Sequence, residues 1–221
     1  MQQTFYQPPL VKTLQKWRTQ VPRAFEFTLK AWQLITHEAS SPTYRRLCEP
    51  LSDRQRREAG AFRLNETVLA AWRRTVECAH ALGSRIILFQ CPRRFAPTHE
   101  NKANLRAFFH ALKAEVPAGQ RGESCTFVWE PRGDWTAAEI QELCAELNLA
   151  HGVDPLAQEP ATAGLGYFRL HGRGGYPYRY TDADLAGLLS KVQVRVPCYV
   201  LFNNLSMLED AQRFQQLAGQ H

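Results

Sequence analysis

The chain has 221 residues, 44% of them hydrophobic and 22% charged, which is typical of a soluble globular protein with a sizeable buried core. No apolar stretch approaches the roughly 18 residues of a membrane span, and the polar start MQQTFYQPP lacks the apolar core of a signal peptide. These features argue against a membrane protein, and we expect a single cytoplasmic domain over residues 1–221.

The net charge of +6 is unevenly distributed along the chain. Residues 1–110 carry 18 Lys and Arg against 8 Asp and Glu, whereas residues 111–221 carry 9 against 13. A basic half attracts phosphate groups or nucleic acid, although a solvated arginine-rich surface gives the same pattern. Nucleic acid therefore stays open as a partner, and the composition does not set the oligomeric state.

The six cysteines form no C-x-x-C pair and match no zinc spacing. We expect small buried thiols in a reducing compartment at Cys48, Cys78, Cys91, Cys125, Cys144 and Cys198.

Short apolar runs alternate with longer helical patterns. In the first half, the patterns predict strands at 24–31, 85–92 and 125–132 and helices at 65–83 and 100–115. The helix at 65–83 has Asn65 as its N-cap and Gly83 as its C-cap. Residues 38–64 form one long connection that could act as a flexible cover.

The second half repeats this scheme, with predicted strands at 149–154, 165–172 and 198–204 and helices at 136–147, 182–192 and from residue 206 onwards. The pairs Thr136/Glu139 and Ser206/Glu209 have the spacing of capping boxes. Each pair therefore predicts the start of a helix.

Strands that are short and apolar on both faces are typical of a parallel sheet covered by helices. Such a sheet closes into a barrel or stays open as a doubly wound sheet. Because no G-x-G-x-x-G or phosphate-loop motif follows a strand, we predict an α/β fold, a TIM-type (β/α) barrel that is incomplete, with six recognisable units of the usual eight.

Each predicted strand becomes polar at its C-terminal end, where a (β/α) barrel carries its active site. Counting by twos places Tyr167, Arg169 and His171 on one face, opposite Phe168 and Leu170. The polar strand-end residues are Lys30, Gln90, Glu130, Arg132, Asp154, Arg169, His171, Arg173, Asn203 and Asn204. We expect them to face a shared pocket, since isolated buried charges would cost several kcal/mol each.

A structural interpretation of the same residues is open. Glu130 with Arg132, or Asp154 with Arg169, would then form ion pairs that only hold the strand ends together.

Six strings stand in this order along the chain: TFYQPP, FEFTLKAWQLITH, LFQCPRRF, VWEPRGDW, YFRLHGR and YVLFNN. Their order and spacing resemble those of the domain-of-unknown-function 72 family, also called YecE-like, over essentially the whole chain. The resemblance implies a TIM-type barrel found in bacteria and archaea, and it implies no particular reaction. Carried over by position, it repeats the strand-end residues and adds Thr36, His37, Pro92, Gly172 and Tyr180.

The start of the chain departs from the family pattern. Members begin with two further strands before the Phe-Tyr pair, whereas Met1 lies just ahead of Phe5 and Tyr6 here. We therefore expect the first two strands to be lacking and the strands at 24–31 and 198–204 to be exposed edges.

The gathering of cations and carboxylates favours an enzyme with a small anionic or phosphorylated substrate. Arginines would hold the anion through forked donors, with Lys30 as a point charge, and His171 or Glu130 would act as general acid or base. The predicted catalytic residues are Lys30, Glu130, Asp154 and His171. The predicted substrate-binding residues are His37, Gln90, Arg132, Arg169, Arg173, Tyr180, Asn203 and Asn204.

Two other functions stay open. A nucleic-acid phosphodiesterase resembling the barrel endonucleases would use metal ligands at His37, Glu130, Asp154 and His171, although no H-x-H or E-x-x-H spacing supports a metal site. A non-catalytic protein would use Tyr176, Tyr178 and Tyr180 to anchor a partner. The cofactor stays unknown; a metal ion is open but not favoured, and no residue is assigned as a metal ligand.

Overall fold

The computed structural model describes residues 1–115 (with side chains to residue 112), 125–195 and 197–219, and the chain divides into two compact units, Met1–Glu139 and Ile140–His221. The described residues contain six strands, three in each unit: β1 (Thr28–Lys30), β2 (Ile86–Gln90), β3 (Thr126–Glu130), β4 (Ala150–Val153), β5 (Gly166–Leu170) and β6 (Cys198–Phe202). Within each unit the strands are parallel and neighbours in sequence pair with each other.

Helices alternate with these strands. They are α1 (Gln3–Tyr6), α2 (Val11–Thr19), α3 (Gln33–Thr36), α4 (Asp53–Glu58), α5 (Glu66–Leu82), α6 (His99–Glu115), α7 (Ala137–Leu147), α8 (Asp182–Val192) and α9 (Met207–Ala218), with a 3₁₀ helix at Pro42–Arg46. Only the connection from β4 to β5, residues 154–165, consists of turns without a helix. The predicted α/β fold of incomplete TIM type is confirmed. That the chain is a single domain stays a prediction.

Register in the first unit places the candidate residues on one face of the sheet. Gln90 pairs with Glu130, and Lys30 pairs with Leu88, two residues before Gln90. Because side chains alternate between faces along a strand and paired residues share a face, all three polar side chains lie on the same face. Lys30 therefore lies one layer deeper than Gln90 and Glu130.

The opposite face of this sheet packs against helices. Phe89 of β2 lies in an aromatic cluster with Phe62, Trp72, Phe108 and Phe109, whose ring centroids are 5.1–6.3 Å apart. Edge-to-face and tilted pairs of this kind add to the free energy gained from burial. The cluster fixes the helices of the unit and leaves the other face of the sheet for polar side chains.

The second unit repeats this division between faces. Phe168 and Leu170 of β5 pack with Leu185 and Leu188 of α8 and Phe214 of α9. The alternate residues Tyr167 and Arg169 point to the other face, where both are almost completely buried. The predicted face assignment of this strand is confirmed.

Three predictions made from local sequence are wrong. The first strand covers Thr28–Lys30 and not 24–31, and before it the Phe25 carbonyl accepts a hydrogen bond from Arg18 Nη1 at 2.7 Å. The last helix begins directly after Ser206, as predicted, but the capping box is wrong, because Ser206 makes no capping hydrogen bond and Glu209 pairs with Arg179 at 3.2 Å. Cys48 is exposed in the long connection, so it is not a buried thiol.

On the edge away from β2, strand β1 pairs with the first residue of the chain. The Met1 amino group donates to the Thr28 carbonyl, and the Lys30 amide donates to the Met1 carbonyl at 3.2 Å. In the second unit, the five residues of β6 are half-buried. That the two strands are exposed edges stays a prediction. No helix in the described ranges is long and apolar enough to cross a bilayer.

The long connection, which we call the cover segment (38–64), returns to α3 at its end. The Gly60 amide donates to the Leu34 carbonyl at 2.8 Å, and the Phe62 amide donates to the Ile35 carbonyl at 2.9 Å. Gly60 has φ of +87°, and a Cβ there would lie 2.4 Å from the His37 carbonyl carbon. The close approach requires a glycine, and it fixes the backbone beside His37.

We expect Gly60→Ala to destabilise the protein more than Gly83→Ala. Gly83 also has a positive φ, +63°, but nothing lies within 4 Å of an added Cβ, so alanine there costs only the left-handed conformation, about 1–2 kcal/mol. Gly60→Ala adds a clash with backbone, and we expect a total loss of at least about 3 kcal/mol. Urea unfolding of both variants measures the difference, and equal losses would contradict the close approach.

Candidate functional site

Lys30 ends β1 with its ammonium group enclosed by protein. The side chain is 5% exposed, and its Nζ lies 3.8 Å from the centroid of the Phe5 ring. The backbone around it is held by α1, since the Thr4 hydroxyl donates to the Lys30 carbonyl at 2.8 Å. An aromatic face stabilises a desolvated ammonium group by about 2 kcal/mol, so Phe5 compensates in part for the burial of this charge.

His37 lies at the end of α3 against the same aromatic ring. Its ring and that of Phe5 meet edge to face at 4.9 Å, and its Nδ1 lies 2.8 Å from the Thr36 hydroxyl. Burial, and then the charges of Lys30 and Arg132, lower the pKa of His37 from 6.5 to about 3. The imidazole is therefore neutral at physiological pH and serves as a hydrogen-bonding group, not as a cation.

Glu130 and Arg132 form the carboxylate part of this group. Glu130, at the end of β3, is 5% exposed, and Arg132 Nε donates to its Oε1 at 2.8 Å. This is one of the ion pairs expected if the strand-end residues have a structural role. Lys30, His37, Glu130 and Arg132, with Gln90 level with Glu130, make up what we call the first-unit cluster.

In the second unit, the ends of β4, β5 and β6 are joined around His171. Asp154 accepts the His171 amide on Oδ2 and the Leu156 amide on Oδ1, each at 3.1 Å. The Asn203 amide nitrogen lies 3.0 Å from His171 Nδ1. Asp154 and Asn203 therefore position His171.

Three other candidates of this unit have structural partners. Arg173 pairs with Asp184 at 2.7 Å, and Asn204 donates to the Tyr178 carbonyl and to Asp210, each at 2.7 Å. The Tyr180 hydroxyl accepts the Gly172 amide at 2.7 Å. Burial raises the pKa of Tyr180 to about 12, so it stays protonated.

Arg169 is 4% exposed on the face of Tyr167, level with Leu201 of β6. Each unit thus gathers its own candidates, and the expectation that all of them face one pocket stays a prediction.

Sequence reasoning missed two residues that support these groups. Phe5 carries no polar atom, so no chemical signal pointed to its contact with Lys30. Asp210 is completely buried and accepts hydrogen bonds from Asn204 and Arg213. The sequence did contain a signal for Asp210, because it places this carboxylate next to the apolar face of α9.

The described residues contain no group of three or more His, Cys, Asp or Glu side chains arranged to hold a metal ion. Of the ligands considered above, Asp154 uses both oxygens for backbone amides, and His37 Nδ1 contacts Thr36.

The low pKa of His37 predicts a stability that falls in acid. The unfolded chain takes up a proton on His37 below pH 6.5 and the folded protein only near pH 3, so this contribution is complete above pH 6.5 and is lost as the pH falls from 6.5 towards 3. Between pH 7 and pH 5 the loss amounts to about 2 kcal/mol. We expect urea unfolding of His37→Gln to show a correspondingly smaller loss over this range.

His80→Gln is the matched control, since His80 is exposed on α5. It should lose as much stability as the unmodified protein. Equal losses in His37→Gln and His80→Gln would show that His37 is not held neutral by its surroundings.

Comparison with known proteins identifies the family of this chain. Two solved structures share the fold. A DUF72 family protein from Enterococcus faecalis has a TM-score of 0.71 and 20% sequence identity, and the match covers 98% of this chain and 83% of that one. A DUF72 family protein from Thermotoga maritima has a TM-score of 0.66 and 18% sequence identity, and the match covers 99% of this chain and 83% of that one. Comparison with curated proteins found no match. The model of the protein family of unknown function DUF72 matches residues 1–221, and the chain therefore belongs to the DUF72 family.

Proposed function

We propose that this protein is an enzyme that binds a small anionic or phosphorylated substrate at the C-terminal ends of its strands. The observation that carries the proposal is the position of two cations, Lys30 and Arg132, near the buried ring of His37. The two cations of the first-unit cluster outnumber its one carboxylate, Glu130, and of the two Lys30 is buried and Arg132 is partly exposed. A bound anion would offset the excess positive charge in surroundings where it interacts strongly.

The cations of the cluster differ in the way they would hold an anion. Lys30 supplies a compact charge fixed by the Phe5 ring, whereas Arg132 supplies a planar fork oriented by its bond to Glu130. His37 adds a hydrogen bond without adding charge, because its pKa keeps it neutral. Together these groups suit a phosphate or carboxylate of small size.

Proton transfer is assigned to Glu130 in the first unit and to His171 in the second. Glu130 is buried beside Arg132, and the His171 ring is oriented by its contact with the Asn203 side chain. We give Asp154 a positioning role, because both of its oxygens accept backbone amides.

Binding of inorganic phosphate and pyrophosphate tests the proposal. We expect the purified protein to bind at least one of them in isothermal titration calorimetry. Lys30→Met keeps the length of the side chain and removes the charge, and it should weaken binding about tenfold or more, since a hydrogen bond to a charged group contributes about 1.5–3 kcal/mol.

Arg93→Ala is the matched control, because Arg93 is exposed just beyond β2. It should bind as the unmodified protein does, and circular dichroism checks that both variants fold. The proposal is wrong if neither anion binds, or if Lys30→Met binds as tightly as Arg93→Ala.

A further inference from the structure

Gln33, the first residue of α3, is buried, and one of the two polar atoms of its side-chain amide has no hydrogen-bond partner among the described residues. The side chain has no exposed surface, and its Nε2 donates to the Tyr6 carbonyl at 2.9 Å. Its Oε1 has no hydrogen-bond partner among the described residues.

The contact with Tyr6 fixes which way the amide faces. A backbone carbonyl only accepts hydrogen bonds, so the nitrogen must face Tyr6, and Oε1 is left as an acceptor on the other side. A buried acceptor without a donor destabilises a protein. An apolar side chain of the same shape would avoid this cost, so the glutamine lowers stability unless a ligand or a water donates to it.

Gln33 belongs to the surroundings of the first-unit cluster. Its side chain holds Tyr6, and the neighbouring Phe5 contacts both Lys30 and His37. The His37 amide donates to the Gln33 carbonyl at 2.8 Å. The Gln33 side chain, whose Oε1 has no partner, is thus bonded to α1 and lies on α3, the two helices next to the buried Lys30 ammonium group.

The adjacent residue, Trp32, carries a second unused polar atom. Its indole Nε1 is buried and has no hydrogen-bond partner in the described part of the chain. An unused acceptor and an unused donor on successive residues suit a ligand with several hydroxyl groups, because each hydroxyl both donates and accepts.

We propose that Gln33 and Trp32 bind the hydroxyl groups of a phosphorylated polyol or sugar whose phosphate lies on Lys30 and Arg132. This inference rests on the proposed function, since the phosphate is bound by the first-unit cluster. It adds the class of substrate: a ligand hydroxyl donates to Gln33 Oε1, and another accepts from Trp32 Nε1.

Calorimetry with ribose 5-phosphate and with inorganic phosphate tests this substrate class. We expect the unmodified protein to bind the sugar phosphate more tightly. Gln33→Met should weaken binding of ribose 5-phosphate about tenfold, the effect of one hydrogen bond of about 1.4 kcal/mol, and should leave binding of phosphate unchanged. Gln20→Met, at an exposed glutamine after α2, should change neither.

The outcomes separate the two proposals. If phosphate binds but Gln33→Met binds ribose 5-phosphate as tightly as the unmodified protein, Gln33 faces a structural water and the substrate class is wrong. If neither ligand binds, the proposed function fails and this inference fails with it. Should Gln33→Met not fold, Trp32→Phe removes the indole Nε1 donor together with part of the ring, and unchanged binding of ribose 5-phosphate in that variant also overturns the proposal.

Discussion

The burial of the Lys30 ammonium group is the constraint on which the first unit depends. Removing such a charge from water costs several kcal/mol unless nearby groups compensate. The structure places the Phe5 ring 3.8 Å from Nζ and holds the end of β1 through Thr4. His37 stays neutral beside this charge, because burial disfavours a charged imidazole and because Lys30 would repel a second cation. The Lys30 charge, the Phe5 ring and the neutral His37 imidazole therefore depend on one another.

Segments far apart in sequence are needed to build that arrangement. Helix α1 supplies Phe5, and the cover segment supplies Tyr44, whose hydroxyl donates to the His37 carbonyl at 2.7 Å. Arg46 of the same segment lies 4.3 Å from the Tyr6 ring centroid. The cover segment is thus structured beside the cluster, although its sequence suggested only a flexible connection. Its contacts with Tyr6 and His37 link it to the residues that surround the buried charge.

The faces of the strands could be predicted from the sequence because side chains alternate with a period of two, whatever the strand length. Lys30, Gln90 and Glu130 lie on one face for this reason, and Arg169 lies opposite Phe168. The end of a strand is less predictable, since it depends on which donor binds each backbone carbonyl. Arg18 donates a hydrogen bond to the Phe25 carbonyl, and no local sequence pattern indicates this. The contact of Phe5 with Lys30 and the unused oxygen of Gln33 likewise depend on how α1 packs, so they could not be predicted from spacing.

The second unit shows that polarity at a strand end does not by itself indicate a reacting group. Asn204 and Asp210 are buried against each other and hold the loop that carries Tyr178 and Tyr180. The Asn204 amide nitrogen donates only to the protein's own scaffold in the hydrogen bonds described above, whereas its buried Oδ1 has no hydrogen-bond partner among the described residues. His171 differs, because Asp154 accepts its backbone amide and the Asn203 side chain orients its ring through Nδ1. An imidazole ring held in one orientation suits general acid or base catalysis, which is why His171, and not its neighbours, is the residue of this unit that we assign to proton transfer.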